Sequence, residues 1–119
     1  APSFVIPKIV SHFTSKASVV ELGNLDVERE FNDVRMICEA YLRLLERADC
    51  GAVYNLCSGK AYSLREILLI LEELTSHSID AVSYTHLTLP TILLEKVGSL
   101  SQFSIRDTLS LMLSNSSDA

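Results

Sequence analysis

Two helices in this sequence mark their own starting points, and their placement restricts what the chain can build. Asp33 precedes an apolar run from about Val34 to Ala48. Within it Val34, Ile37, Cys38, Tyr41, Leu42 and Leu45 recur at i, i+3, i+4, i+7 spacing, while Arg35, Glu39, Arg43 and Glu46 fall on the other side. A short carboxylate there can accept from backbone N–H groups that have no partner inside the helix, and Asp49-Cys50-Gly51 supplies a stop. Ser63-Leu64-Arg65-Glu66 is a capping box, in which hydroxyl and carboxylate each satisfy the other residue's N–H. It opens a helix that continues through Leu74 with Leu64, Ile67, Leu68, Leu71 and Leu74 on one face. Between the two helices, Ala52–Leu56 (AVYNL) reads as a buried strand.

Weaker signals surround this frame. Phe4–Thr14 has helix-like apolar spacing, with Pro7 tolerable in a first turn. Ser18–Leu22 (SVVEL) reads as a strand, Gly23-Asn24-Leu25-Asp26 as a turn and Ser78–Val82 as a further short strand. Ser104-Ile105-Arg106-Asp107 opens a last helix over about Ile105–Ser114, and the polar end Ser114–Ala119 is expected to fray. The alternation of helices and strands points to an α/β fold.

Length and charge bound the function. A chain of 119 residues is one small domain or a piece of a larger one. Its formal net charge of −5, without a basic run, argues against nucleic-acid binding. The apolar stretches are too short for a membrane span and no signal peptide is readable. Cys38, Cys50 and Cys57 are odd in number and lack Cys-x-x-Cys spacing, which fits reduced thiols in a cytoplasmic setting. His12, His77 and His86 fall at no zinc-ligand spacing, so no metal is expected.

The motifs of common catalytic sites are missing. Gly23, Gly51, Gly59 and Gly98 cannot form a dinucleotide-binding G-x-G-x-x-G, and Gly59-Lys60 lacks both the earlier glycine and the Ser/Thr of a P-loop. No Tyr-x-x-x-Lys pair occurs, and Ser58 is not in a nucleophile elbow. Asn115-Ser116-Ser117 matches a glycosylation sequon without a secretory context. Asp26, Glu28 and Glu30 read as a solvated acidic face or as carboxylates for acid/base work. Arg29, between two glutamates and ahead of Phe31, has two open readings: a surface ion pair, or a guanidinium fork for a diphosphate.

GNLDVEREFNDVR (23–35), the following EAYLRLLE, and VYNLCSGKAYSLREIL (53–68) resemble the C-terminal half of an extended short-chain dehydrogenase/reductase of the NAD-dependent epimerase/dehydratase family. Within it they are most similar to the branch of GDP-mannose 4,6-dehydratases and GDP-4-keto-6-deoxy-mannose reductases. The opening FVIPKI fits as well, so the resemblance runs from Phe4 to Ile79. It implies an incomplete C-terminal substrate-binding lobe of an NAD(P)-binding Rossmann-type enzyme, residues 1–81, and a C-terminal helical tail, residues 94–119. Arg29 would contact the diphosphate of a GDP-sugar, the Gly23-Asn24 turn would put Asn24 at the nucleotide end of the pocket, and Lys8 would stand in the family's R-K-I stretch. Phe31 and the S-G-K-x-x-S-x-R-E run lean toward the reductases. Glu30 stands for the usual Asp, and Met36 replaces an Asp that would anchor the helix.

A complete member uses NAD(P), works in the cytoplasm and is expected to be a homo-oligomer. Its Tyr/Lys pair and Ser/Thr are not among these residues, so the resemblance implies a chain with no catalytic residues and no cofactor of its own. The alternatives are a non-catalytic nucleotide-binding or interaction module, meeting a partner through faces such as Leu64/Ile67/Leu68/Leu71, and a chimeric reading frame without function. Residues 82–93 bear on the last. The family places a D-P-x-R-x-R-P segment there, whereas one codon choice for VSYTHLTLPT reproduces a transposase-type sequencing-library adapter. The stretch is thus expected to be translated adapter or a divergent loop. Long-read sequencing of the source DNA should show a template that breaks at these codons; an unbroken template would restore the loop.

Overall fold

The computed structural model describes residues 4–83 and 104–117, with side chains as far as residue 116. The elements follow the order α1 (Val5–Thr14), β1 (Val19–Leu22), β2 (Glu28–Glu30), α2 (Val34–Arg47), β3 (Ala61–Ser63), α3 (Leu64–Thr75), β4 (Asp80–Ser83) and α4 (Ile105–Ser117). β1 and β4 pair in parallel from Val19 against Asp80 to Leu22 against Ser83, and β2 and β3 form a separate antiparallel ribbon. The architecture is α/β.

Side chains of β1 alternate across the sheet, so Val20 and Leu22 are buried while Val19 and Glu21 are not. Onto that face α1 brings Ile9, Val10 and Phe13, and α3 brings Ile67, Leu68 and Leu71; Leu25, Ile79 and the fully buried Leu109 of α4 complete the core. The apolar stripe of α3 is therefore covered from within the chain, not free for a partner. α4 runs on to Ser117 where fraying was expected after Ser114. Its packing explains this, since Ser116 lies against α1 with its hydroxyl 3.2 Å from that of Thr14.

Two differences from the sequence reading share one cause. Ala52–Leu56 forms no strand, and Val53 is 92% exposed. α2 starts where its cap predicts, but its buried residues are Met36 and Ala40, whereas Val34, Tyr41, Leu42 and Leu45 lie open, Leu45 by 85%. A strand exists only with a neighbour to accept and donate along its backbone, and an apolar stripe is covered only if another element packs on it. Among the described residues neither AVYNL nor the outer face of α2 has one. Met36, which removes a polar anchor on the family pattern, is here an inward packing residue. Conversely, β2 carries only charged residues and β3 sets Tyr62 between two small ones, and the ribbon is held by local side-chain clamps described below. Val82 and Ser83, the start of the suspect 82–93 stretch, complete β4; residues 84–93 lie outside the described residues.

α2 is tied down at Asp33. This buried carboxylate accepts from the Arg35 amide at 2.8 Å, from Arg35 Nε and Nη2 at 2.9 and 2.6 Å, and from the Thr108 hydroxyl of α4 at 2.7 Å. The Arg35 guanidinium, helped by the Thr108 and backbone bonds, holds the Asp33 carboxyl far below the usual carboxylate range against the opposing cost of burial. A carboxylate depressed in the folded state contributes stability above its unfolded pKa and loses it as pH falls toward the folded value. Asp33→Ala should cost about 1–3 kcal/mol at neutral pH, from the lost cap and the unpaired groups left behind. In chemical denaturation the gap between the two proteins should narrow below about pH 4.

Candidate functional site

The carboxyl end of β1 is where the expected site residues begin to meet. After Leu22 the chain turns through Gly23, whose carbonyl accepts from the Ser83 hydroxyl at the matching end of β4, 3.2 Å away. Asn24 closes the turn by accepting from the Asp26 amide at 3.0 Å through Oδ1, an Asx turn that leaves its side-chain NH2 to donate elsewhere. Lys8 reaches the same end from α1, donating from Nζ to the Glu21 carbonyl at 2.7 Å. Ligands of open α/β sheets collect at such carboxyl ends. Lys8 and Asn24 thus share one strand end, each already holding the local backbone.

Arg29 lies on the adjoining ribbon. Leu25 before it is buried in the core and Phe31 after it packs against the core, which fixes both ends of the segment. The Leu25 carbonyl accepts from the Arg65 amide at 3.1 Å, and Arg65 Nε pairs with Asp26 at 2.9 Å, joining the turn to the start of α3. The Arg65 hydrogen bond and charge hold the exposed Asp26 carboxyl below its ordinary value. Arg29 itself faces Tyr62 across the β2–β3 pair and is exposed.

Glu30 is the residue that sequence reasoning missed. Its Oε1 accepts from the backbone amides of Ser58 and, at 3.1 Å, Gly59, clamping the loop that leads into β3. Gly59 has φ 75°, a left-handed conformation that a glycine adopts without strain. The one signal in the sequence was that Ser-Gly-Lys turn, since adjacent amides in such a turn point together and attract an anion. The three carboxylates first read as a cluster are therefore divided: Asp26 pairs with Arg65, Glu30 holds the loop, and Glu28 is exposed. Among the described residues no group of three or more His, Cys, Asp or Glu is placed to hold a metal ion. None of the helices is long and apolar enough to cross a membrane, again among the described residues.

Among the described residues there is no glycine-rich strand–turn–helix of the kind that holds a nicotinamide dinucleotide. Its pyrophosphate needs free amides at a helix that follows a strand and a glycine-rich turn. Here one first-turn amide is bonded to Asp33 in α2, to Ser63 in α3 and to Ser104 in α4, and α1, which has no side-chain cap, follows no described strand or glycine-rich turn. The capping box of α3 is complete, with Glu66 accepting from the Ser63 amide at 2.7 Å.

The Glu30 clamp predicts a local effect. Glu30→Ala should speed hydrogen exchange at the Ser58 and Gly59 amides by roughly tenfold, the worth of one bond to a charged acceptor, while leaving the Leu71 amide of α3 unchanged. Equal exchange in the two proteins would mean the clamp contributes nothing.

Comparison with known proteins supplies the wider setting. Residues 1–57 match the family model described as NAD dependent epimerase/dehydratase family. The chain is 40% identical over 67 residues to GDP-6-deoxy-D-mannose reductase of Pseudomonas aeruginosa, covering 56% of this chain and 22% of that protein. A crystal structure of a candidate epimerase from Burkholderia cenocepacia superposes with a TM-score of 0.91 at 33% identity, over 100% of this chain and 43% of that one. RMD from Pseudomonas aeruginosa, solved in complex with NADPH, gives 0.81 at 29% identity, over 99% of this chain and 44% of that one. This chain thus spans about a fifth of the curated relative and under half of either solved chain, and over that part it is related to NAD(P)-binding proteins of the epimerase/dehydratase type, a GDP-sugar reductase among them.

Proposed function

We propose that this chain is the substrate-binding lobe of a GDP-sugar-modifying oxidoreductase and that it contributes the grip on the nucleotide diphosphate. One observation carries the reading. Arg35, Arg43, Arg65 and Arg106 are each paired with a carboxylate, whereas Arg29 and Arg47 pair with none among the described residues; Arg47 stands in the last turn of α2, and Arg29 lies on a strand held at both ends by Leu25 and Phe31, with glutamates flanking it in sequence. Strand alternation turns Glu28 and Glu30 to the opposite side of the ribbon, and Glu30 is engaged with the loop amides. A guanidinium on a tethered strand without a counter-ion suits bidentate bonding to phosphate oxygens. This favours the diphosphate reading of Arg29 over the surface ion pair.

The remaining roles follow from the same placement. Asn24, its carbonyl oxygen committed to the turn, offers its NH2 to the nucleotide, and Lys8 keeps donors beyond the one given to Glu21. In the complete enzyme the bound nicotinamide supplies or accepts the hydride. These residues bind and orient the sugar nucleotide and carry no acid/base step. The kinship with a GDP-6-deoxy-D-mannose reductase favours reduction of a keto sugar over dehydration. Leu109, buried in the same core as Ile9 and Ile67, supports assigning residues 94–119 to this lobe, with the suspected break confined to 82–93. A cytoplasmic setting and a homo-oligomeric parent belong to the same reading; no disulfide joins Cys38, Cys50 and Cys57.

Calorimetric titration of the full chain tests it. GDP should bind weakly, and Arg29→Ala should lower the affinity by about tenfold or more, the worth of a charge-assisted pair. Equal binding by the variant, or none by the parent chain, would remove the proposed role.

A further inference from the structure

The β2–β3 ribbon has two faces of different chemistry. Arg29 lies directly opposite Tyr62, so the two side chains emerge on one face, and Glu28 and Glu30 on the other. Lys60, two residues before Tyr62, returns to the Arg29 face, where its Nζ stands 5.1 Å from the centroid of the Tyr62 ring. That ring is half-buried and packs against the core, which makes it a fixed support, while the ammonium is exposed. Lys60 forms no ion pair among the described residues, and neither does Arg29. Two cations therefore share one ribbon face with an aromatic ring between them, and the nearest carboxylate in the pairing register, that of Glu30, is turned away and bonded to Ser58 and Gly59.

We propose that Lys60 and Tyr62 complete, with Arg29, a phosphate-binding face for a nucleoside diphosphate; this rests on the reading of Arg29 given above. A diagonal pair of positions across an antiparallel ribbon is about 7–8 Å apart, a separation that lets an arginine fork and a flexible lysine close on neighbouring phosphates. The Tyr62 ring holds the ammonium near its working position by a cation–π contact, which lowers the ordering cost when a ligand arrives. Two like charges held together without a counter-ion repel each other, and an incoming diphosphate relieves that repulsion. Specificity for the base lies elsewhere, because both cations read only phosphate charge.

Titration of the full chain with GDP and with guanosine, which lacks the phosphates, separates this proposal from the one it rests on. Lys60→Gln should weaken GDP binding by about fivefold to tenfold and leave guanosine binding unchanged. Its denaturation midpoint should match the parent's, since the side chain is exposed. Tyr62→Leu, which keeps an apolar body against the core but removes the ring, should weaken GDP in the same direction and by less. If Arg29→Ala weakens GDP and Lys60→Gln does not, the Lys60 proposal is overturned while the function of Arg29 stands. If neither variant weakens GDP, or the parent chain does not bind it, both fall.

Discussion

A parallel strand pair cannot be closed by a tight turn, and the organisation of this chain follows from that constraint. β1 and β4 lie side by side and point the same way, so the chain must travel back to the starting edge between them. The Ser83 hydroxyl reaches the Gly23 carbonyl across 60 residues of sequence. Everything from the Gly23 turn to Ile79 is this crossover, and α3 is the part that returns over the sheet. Ile67, Leu68 and Leu71 are buried because α3 must lie there, and α1 and α4 fill the space beside it with Ile9, Phe13 and Leu109. The ribbon and α2 are excursions from that path, held by polar clamps at Glu30, Asp26–Arg65 and Asp33–Thr108.

The elements legible in the sequence were those whose signals are local. Asp33 and the Ser63/Glu66 box named the starts of α2 and α3 because a cap is satisfied within three residues, whatever surrounds the helix. The core stripe of α3 was equally readable, as was the turn at Asn24. What failed depended on neighbours. AVYNL has the composition of a strand, yet strand formation is a property of two segments, and the second is not among the described residues. The apolar stripe of α2 likewise states a need for burial without saying what meets it.

The candidate site divides in the same way. Arg29 stood out in the sequence because an arginine between acids ahead of an aromatic residue is chemically conspicuous, and the register shows that its flanking glutamates face away. Glu30 was read as one of a row of carboxylates, since no local rule reveals that it reaches loop amides 28 residues on. Lys60 stands in the sequence as the end of a failed P-loop match and as a member of the S-G-K-x-x-S-x-R-E run, with no binding role attached. Its nearness to Tyr62 and its place on the Arg29 face appear only once the antiparallel register is known.

The open segment from Ala52 to Leu56 has a consequence for how this chain behaves at high concentration. Among the described residues its backbone N–H and C=O groups have no ladder partner, and Val53 and the exposed stripe of α2 are apolar. Such a segment is a template on which an identical segment from another molecule can lie, forming intermolecular sheet where an intramolecular one is missing. In a longer polypeptide whose own strand covers the segment, the same residues would cease to be a liability and become interior.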